Sequence, residues 1–126
     1  MTYAKLNQDR QFVRNGMPIS TKELSIGPTI GWSYEIQCEY GKRYTLFLYF
    51  DGQRYQVRCV FPEVAGKFAS IHDHHLFPDG RICLDPSSQG APDIQYAYTK
   101  SVIWANGFSF FQLTGKPFPF SINNKT

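Results

Sequence analysis

Three runs of alternating side chains between residues 32 and 61, separated by glycine-bearing turns, constrain this chain more than any other feature. Trp32, Tyr34, Ile36 and Cys38 alternate with Ser33, Glu35 and Gln37, the period of two that a half-buried strand shows. After Glu39-Tyr40-Gly41-Lys42, a second run covers Arg43 to Phe50, with Tyr44, Leu46, Leu48 and Phe50 on one face. Asp51-Gly52 then predicts a hairpin, because a tight turn of that kind requires positive φ, which Asp and Gly tolerate. The third run, Arg54 to Phe61, puts Tyr55, Val57, Cys59 and Phe61 on a common face. Pro62 ends it by removing a donor from the ladder. Strands joined in this way form an antiparallel meander.

The flanks are less regular. Residues 62–95 are rich in Pro, Gly, Asp, Ser and His and read as a long irregular segment. Such segments are uncommon inside compact domains and tend to be functional. Helical character returns from Tyr98 to Thr114, with Val102, Ala105 and Ser109 on one side and Trp104, Phe108 and Phe111 on the other. A helix apolar nearly all round is buried or offers one face to a partner, which marks Trp104, Phe108 and Phe111 as candidate partner-binding residues. Gly115 is a natural cap, and Pro117 and Pro119 prevent continuation. In the first 29 residues, Lys5 to Arg14 is compatible with a short helix that Asn15-Gly16 and Pro18 end, and Gly27-Pro28 marks another turn. At 126 residues without repeat or linker, the expectation is one α+β domain, 1–126, an antiparallel β-meander packed on helices.

Composition excludes several function classes. The net charge of +3 is scattered, with no basic block to track phosphates, so nucleic acid is not the expected partner. The first ten residues hold no apolar run, and no stretch approaches the roughly 18–20 apolar residues of a membrane span. An odd set of three cysteines without framework spacing predicts a reduced, cytoplasmic setting. Serine-hydrolase and phosphate-loop patterns are missing, which leaves no expected cofactor.

The cysteines differ in their settings. Cys38 and Cys59 lie on apolar strand faces, where a thiol behaves as a small hydrophobe. Cys83 lies instead in Asp79-Gly80-Arg81-Ile82-Cys83-Leu84-Asp85, inside the irregular segment. A cation such as Arg81 favours the nucleophilic thiolate, and Asp85 could position an incoming amine. All three histidines, His72, His74 and His75, precede Cys83 by eight to eleven residues. One reading places an imidazole beside the thiolate, orienting a substrate or donating to an oxyanion. Another gives zinc to two histidines and Cys83, but lacks the paired Cys-x-x-Cys spacing of specific zinc sites; no metal is expected.

The run His74-His75-Leu76-Phe77-Pro78-Asp79-Gly80-Arg81-Ile82-Cys83-Leu84-Asp85 resembles the active-site loop of ubiquitin-conjugating enzymes. It is more similar still to the bacterial branch of that fold, associated with antiviral defence operons. Trp104 to Phe111 followed by Thr114-Gly115-Lys116-Pro117 resembles the aromatic helix and ending of those proteins. The resemblance covers about residues 32–119 and implies a compact ubiquitin-conjugating-enzyme-like fold. It implies that Cys83 accepts an acyl group as a thioester and passes it to a target amine, with Asp85 and Arg81 positioning substrate. His74-His75-Leu76 stands near where eukaryotic members carry His-Pro-Asn, so oxyanion support falls to His75, with His74 as the alternate. The implied partners are a ubiquitin-like protein or the C-terminal tail of a cyclic-nucleotide-signalling nucleotidyltransferase, with an activating enzyme as a further candidate. The alternative is a non-catalytic binding scaffold of the same fold. The catalytic reading expects Cys83 to be exposed while Cys38 and Cys59 are sequestered.

Overall fold

The computed structural model describes residues 1–64, 66 and 74–118. Among these, helix α1 (Tyr3–Gly16) is followed by strands β1 (Lys22–Ile26), β2 (Thr29–Gln37), β3 (Arg43–Phe50) and β4 (Tyr55–Phe61), and by helix α2 (Ile94–Thr114). The strands form one antiparallel sheet in the order β1-β2-β3-β4. This is an α+β fold.

The period-two pattern places the core. Trp32, Tyr34 and Ile36 of β2, Tyr44, Leu46 and Leu48 of β3, and Tyr55, Val57 and Cys59 of β4 are buried together against α2. Phe61 departs from the predicted common face and is 62% exposed. A register irregularity between Thr45 and Leu46 pairs Phe61 with Thr45, and such a bulge re-aims the side chains beyond it. The sequence also leaves β1 without a strand assignment. All five of its residues are exposed, so side-chain burial does not specify it; main-chain pairing across the Ile26–Thr29 turn does.

The first helix is longer than the predicted Lys5–Arg14. Thr2 caps it by accepting from the Lys5 amide at 3.1 Å, which satisfies one orphan donor of the first turn. Its buried face carries Asp9, 1% exposed, which accepts a hydrogen bond from the Tyr55 hydroxyl on β4. Arg10 grips Glu23 of β1 with two hydrogen bonds of 2.8 and 2.7 Å. Polar contacts thus tie α1 to both edges of the sheet.

Helix α2 begins at Ile94, four residues before the predicted start, because Asp93 caps it by accepting from the Tyr96 amide at 2.8 Å. Gly115 closes it in the left-handed conformation, as the glycine-proline ending predicts. Trp104 and Phe108 are both 0% exposed and stack at 4.9 Å, with the Tyr44 ring edge-on to Trp104 at 5.6 Å. Two serines on this helix bond strand tyrosines: Ser101 to Tyr34 and Ser109 to Tyr44, each at 2.7 Å. No helix among the described residues is long and apolar enough to cross a membrane.

Candidate active site

The segment before Cys83 is a small hairpin built by its turn chemistry. Pro78 and Asp79 occupy the centre of a turn in which the Gly80 amide donates to the Phe77 carbonyl at 3.0 Å. Gly80 has φ of 90°, the left-handed position that follows a type I turn in a three-residue hairpin loop. Above the turn, the Phe77 amide donates to the Arg81 carbonyl at 2.9 Å, and Leu76 bridges Ile82.

The returning arm then lies along the open edge of β4. The Cys59 amide donates to the Gly80 carbonyl at 3.0 Å, and the Ile82 amide to the Val57 carbonyl at 2.8 Å. Ile82 and Leu84 are 0% exposed. Cys83 is therefore held between two core anchors at the sheet edge, with its amide donating to the His75 carbonyl at 2.8 Å. That carbonyl is aimed by an unusual backbone, since His75 has φ of 56°, a conformation non-glycine residues adopt uncommonly.

Cys83 is not exposed. The side chain is covered to 2% exposure, which corrects the expectation of an open loop thiol. Its surroundings still differ from those of the other two cysteines. Cys83 stands outside the hydrophobic cluster that includes Cys38 and Cys59, and its sulfur lies 3.6 Å from the Asp85 carbonyl and 3.7 Å from the Ser88 hydroxyl. Burial pushes the Cys59 thiol up to about 12, which favours its protonated form. Cys38 lies 2.9 Å from the Ser109 hydroxyl inside the core.

Asp85 is an ionised neighbour of the thiol. Its Oδ2 accepts from the Ser87 hydroxyl and, at 2.9 Å, from the Ser87 amide; its Oδ1 accepts from the Tyr96 hydroxyl at 3.4 Å. The Ser87 hydroxyl is the main influence holding this carboxyl below the usual range. Its amide, Tyr96 and the nearby Arg54 add to that and outweigh burial. Both carboxylate oxygens are oriented by these bonds, and the main-chain carbonyl of the same residue is the group that meets the Cys83 sulfur.

Arg81 does not serve the sulfur in the way its spacing suggests. Its Nε donates to Asp79 Oδ2 at 2.8 Å, and its guanidinium lies over the Phe77 ring at 4.6 Å. Burial alone would raise Asp79, but the Arg81 amide and guanidinium, with Arg58, hold it below its ordinary value. The cation stabilises the turn rather than facing the thiol.

His75 meets Cys83 through its main-chain carbonyl. The His74 ring packs against Phe111 at 4.4 Å, and its carbonyl accepts from the Trp104 indole at 2.9 Å. The His75 ring packs against Phe118 at 5.0 Å. His72 lies outside the described residues. Among the described residues, no three His, Cys, Asp or Glu side chains are arranged to hold a metal ion.

Trp104 and Phe108 are also corrected as partner-binding residues: at 0% exposure they present no surface. Being apolar all round, α2 turns one aromatic stripe into the sheet and the histidine segment. Phe111 is partly buried against His74. An open groove of about 750 Å3 lies on the other face of the sheet, lined by Leu24, Ile26, Phe47, Tyr49, Arg58 and Val60 among others, and Cys83 is not part of it. Sequence reasoning did not single out Ser87, Ser88, Tyr96 or Gln56. The Asp85-Pro86-Ser87 run was a legible signal for the first, since Asp side chains bond the backbone two residues on.

The chain matches no protein-family model, no curated protein and no solved structure. The candidate site therefore stands on its own geometry.

Proposed function

We propose that this protein is a cysteine-dependent acyl transferase with a compact ubiquitin-conjugating-enzyme-like fold. The observation that carries the reading is the pairing of Cys83 with Asp85. One thiol of three lies outside the apolar cluster among loop polar groups, and an ionised, oriented carboxylate sits two residues away. The sequence around it, Gly80-Arg81-Ile82-Cys83-Leu84-Asp85, resembles the catalytic segment of that family.

In this reading the Cys83 thiolate attacks the carbonyl carbon of an activated protein C-terminus. A C–S bond forms, and the activating group leaves with its electron pair. A target amine then attacks the thioester carbonyl; the C–N bond forms, the C–S bond breaks, and the thiolate departs. Thiolates suit both halves, being good nucleophiles and good leaving groups. Asp85 would attract the lysine ammonium and orient the amine released from it as the proton departs. The backbone at His75 orients the Cys83 segment, and the imidazoles of His75 or His74 are the proposed oxyanion support. The carrier would be a ubiquitin-like protein or the tail of a cyclic-nucleotide-signalling nucleotidyltransferase, charged with or without a separate activating enzyme, in a cytoplasmic antiviral setting.

Intact mass of the protein isolated with its native carrier tests this. A covalent adduct that thiol reductant removes is expected, absent from Cys83→Ala and replaced by a reductant-stable ester in Cys83→Ser. The burial of Cys83 favours a second reading, a binding scaffold of the same fold in which the thiol is unused. Full biological activity of Cys83→Ala would select that second reading.

A further inference from the structure

Residues 85–90 pass beside the sulfur of Cys83, which lies 3.6 Å from the Asp85 carbonyl and 3.7 Å from the Ser88 hydroxyl, and what holds them differs from what holds the residues around the thiol. The floor is apolar: Ile82 and Leu84 are fully buried on either side of Cys83. The cover is exposed at Pro86, Ser87, Ser88 and Gln89, with no large apolar side chain to anchor it. Two sets of hydrogen bonds hold it down. At one end the Tyr96 hydroxyl on α2 donates to Asp85 Oδ1 at 3.4 Å, beside the turn in which the Ser88 amide donates to the Asp85 carbonyl at 2.9 Å. At the other end Gln56 on β4 donates to the Gln89 carbonyl at 2.9 Å, and Tyr55 and Ala91 exchange two main-chain bonds of 2.9 and 2.8 Å.

The closed arrangement is also strained. Ser88, whose hydroxyl lies 3.7 Å from the sulfur, has φ of 64°. A residue with a Cβ is held there only when its surroundings over-determine it. Gly90 has φ of 112°, and a side chain there would lie 2.8 Å from the Tyr55 carbonyl and 2.6 Å from the Gln56 amide. The segment can therefore reach β4 only because residue 90 is glycine. Segments with few buried apolar contacts open locally, well before the core does.

We propose that residues 85–90 form a reversible strap over Cys83, pinned by Gln56 and by the Asp85 turn, so that the thiol reacts only when the strap lifts. Its role as a gate for acyl transfer rests on the catalytic reading of Cys83, but the lifting itself is measurable without any acyl donor. The strap reconciles a nucleophile covered to 2% exposure with a substrate as large as a protein tail. A carrier that displaces Gln89 from Gln56 would uncover the thiol only in its own complex.

The test is alkylation of the full chain by N-ethylmaleimide, with each cysteine followed by peptide mass. Cys83 should react about a hundredfold faster than Cys38 and Cys59, independently of sub-denaturing urea, as local opening predicts. It should still react more slowly than an unfolded control. Gln56→Ala should speed Cys83 labelling about five- to tenfold, the effect of one hydrogen bond, and leave Cys38 and Cys59 unchanged. Should that variant not fold, Ser87→Ala, on the exposed strap, is expected to act in the same direction. Labelling of Cys83 in step with Cys59 along the urea curve overturns the proposal, as does labelling at the unfolded rate or indifference to both substitutions. A strap that opens over a thiol never found acylated leaves this inference standing and removes the transferase reading instead.

Discussion

The hydroxyl of Tyr44 donates its hydrogen to Ser109, 2.7 Å away in the core. The direction follows from the single hydrogen that Ser109 possesses, which goes to the Ala105 carbonyl one turn earlier at 2.8 Å. Ser109 is thus an acceptor toward the sheet, and the Cys38 thiol, 2.9 Å from the same oxygen, donates into it as well. Ser101 repeats the device with Tyr34, its own hydrogen going to the Tyr98 carbonyl at 2.7 Å. Burial raises both tyrosines, Tyr44 to about 12, so both hydroxyls stay protonated and able to donate.

Replacing Ser109 with alanine strands two buried donors, the Tyr44 hydroxyl on β3 and the Cys38 thiol just after β2. Leaving a buried donor unsatisfied costs about 1–3 kcal/mol each, so Ser109→Ala should lower the urea midpoint clearly. Tyr44→Phe in the Ser109→Ala background should then cost less than Tyr44→Phe alone. Additive losses would show that the two groups are not coupled.

Trp104 is a core residue, and the consequence is energetic. Trp104→Ala should destabilise the protein by about 3–5 kcal/mol, read from denaturant unfolding, because it empties a site at 0% exposure and strands the His74 carbonyl. Loss of partner binding without loss of stability in that variant would contradict this placement.

Asp85 should separate the two halves of the proposed reaction. Asp85→Asn is expected to form the thioester at a near-normal rate and to discharge it to free lysine about a hundredfold more slowly, the scale of a positioned acid–base group. Single-turnover discharge followed by gel or mass measures this; equal discharge rates would remove Asp85 from the mechanism.

Ser87 should control the charge of Asp85. Because the folded protein holds this carboxyl below its ordinary value, chiefly through the Ser87 hydroxyl, the carboxyl contributes stability above its unfolded pKa. That contribution is lost as pH falls through the folded value. Ser87→Ala should raise the Asp85 pKa in a carboxyl-detected NMR titration and flatten this acid limb. An unmoved titration would refute the assignment.

Asp9 has the opposite sign. Burial first, then Asp93, raise its pKa, against the hydrogen bond from Tyr55 and the charge of Lys5, 3.9 Å away. A carboxyl raised on folding favours the folded state below its unfolded pKa and loses that contribution as pH rises through the folded value. The stability difference between the native protein and Asp9→Asn should therefore shift toward the native protein as pH falls from neutrality to about 4. Thermal melts across that window measure it; a constant difference would show that Asp9 is not perturbed.

Alternation and turn chemistry were enough to define β3 to the residue, β4 to within one residue and the Trp32–Gln37 part of β2, because side-chain period and tight-turn backbone are local properties. The same local reasoning singled out Cys83, whose neighbours in the chain are unlike those of Cys38 and Cys59. Tertiary structure alone decided three other matters. It decided that β1 pairs at an exposed edge and that Trp104 and Phe108 face inward. It also decided that the segment after Asp85 folds back beside the thiol. Each depends on which groups meet across the fold, as Gln56 meets Gln89 from 33 residues away, and no local period encodes such a meeting.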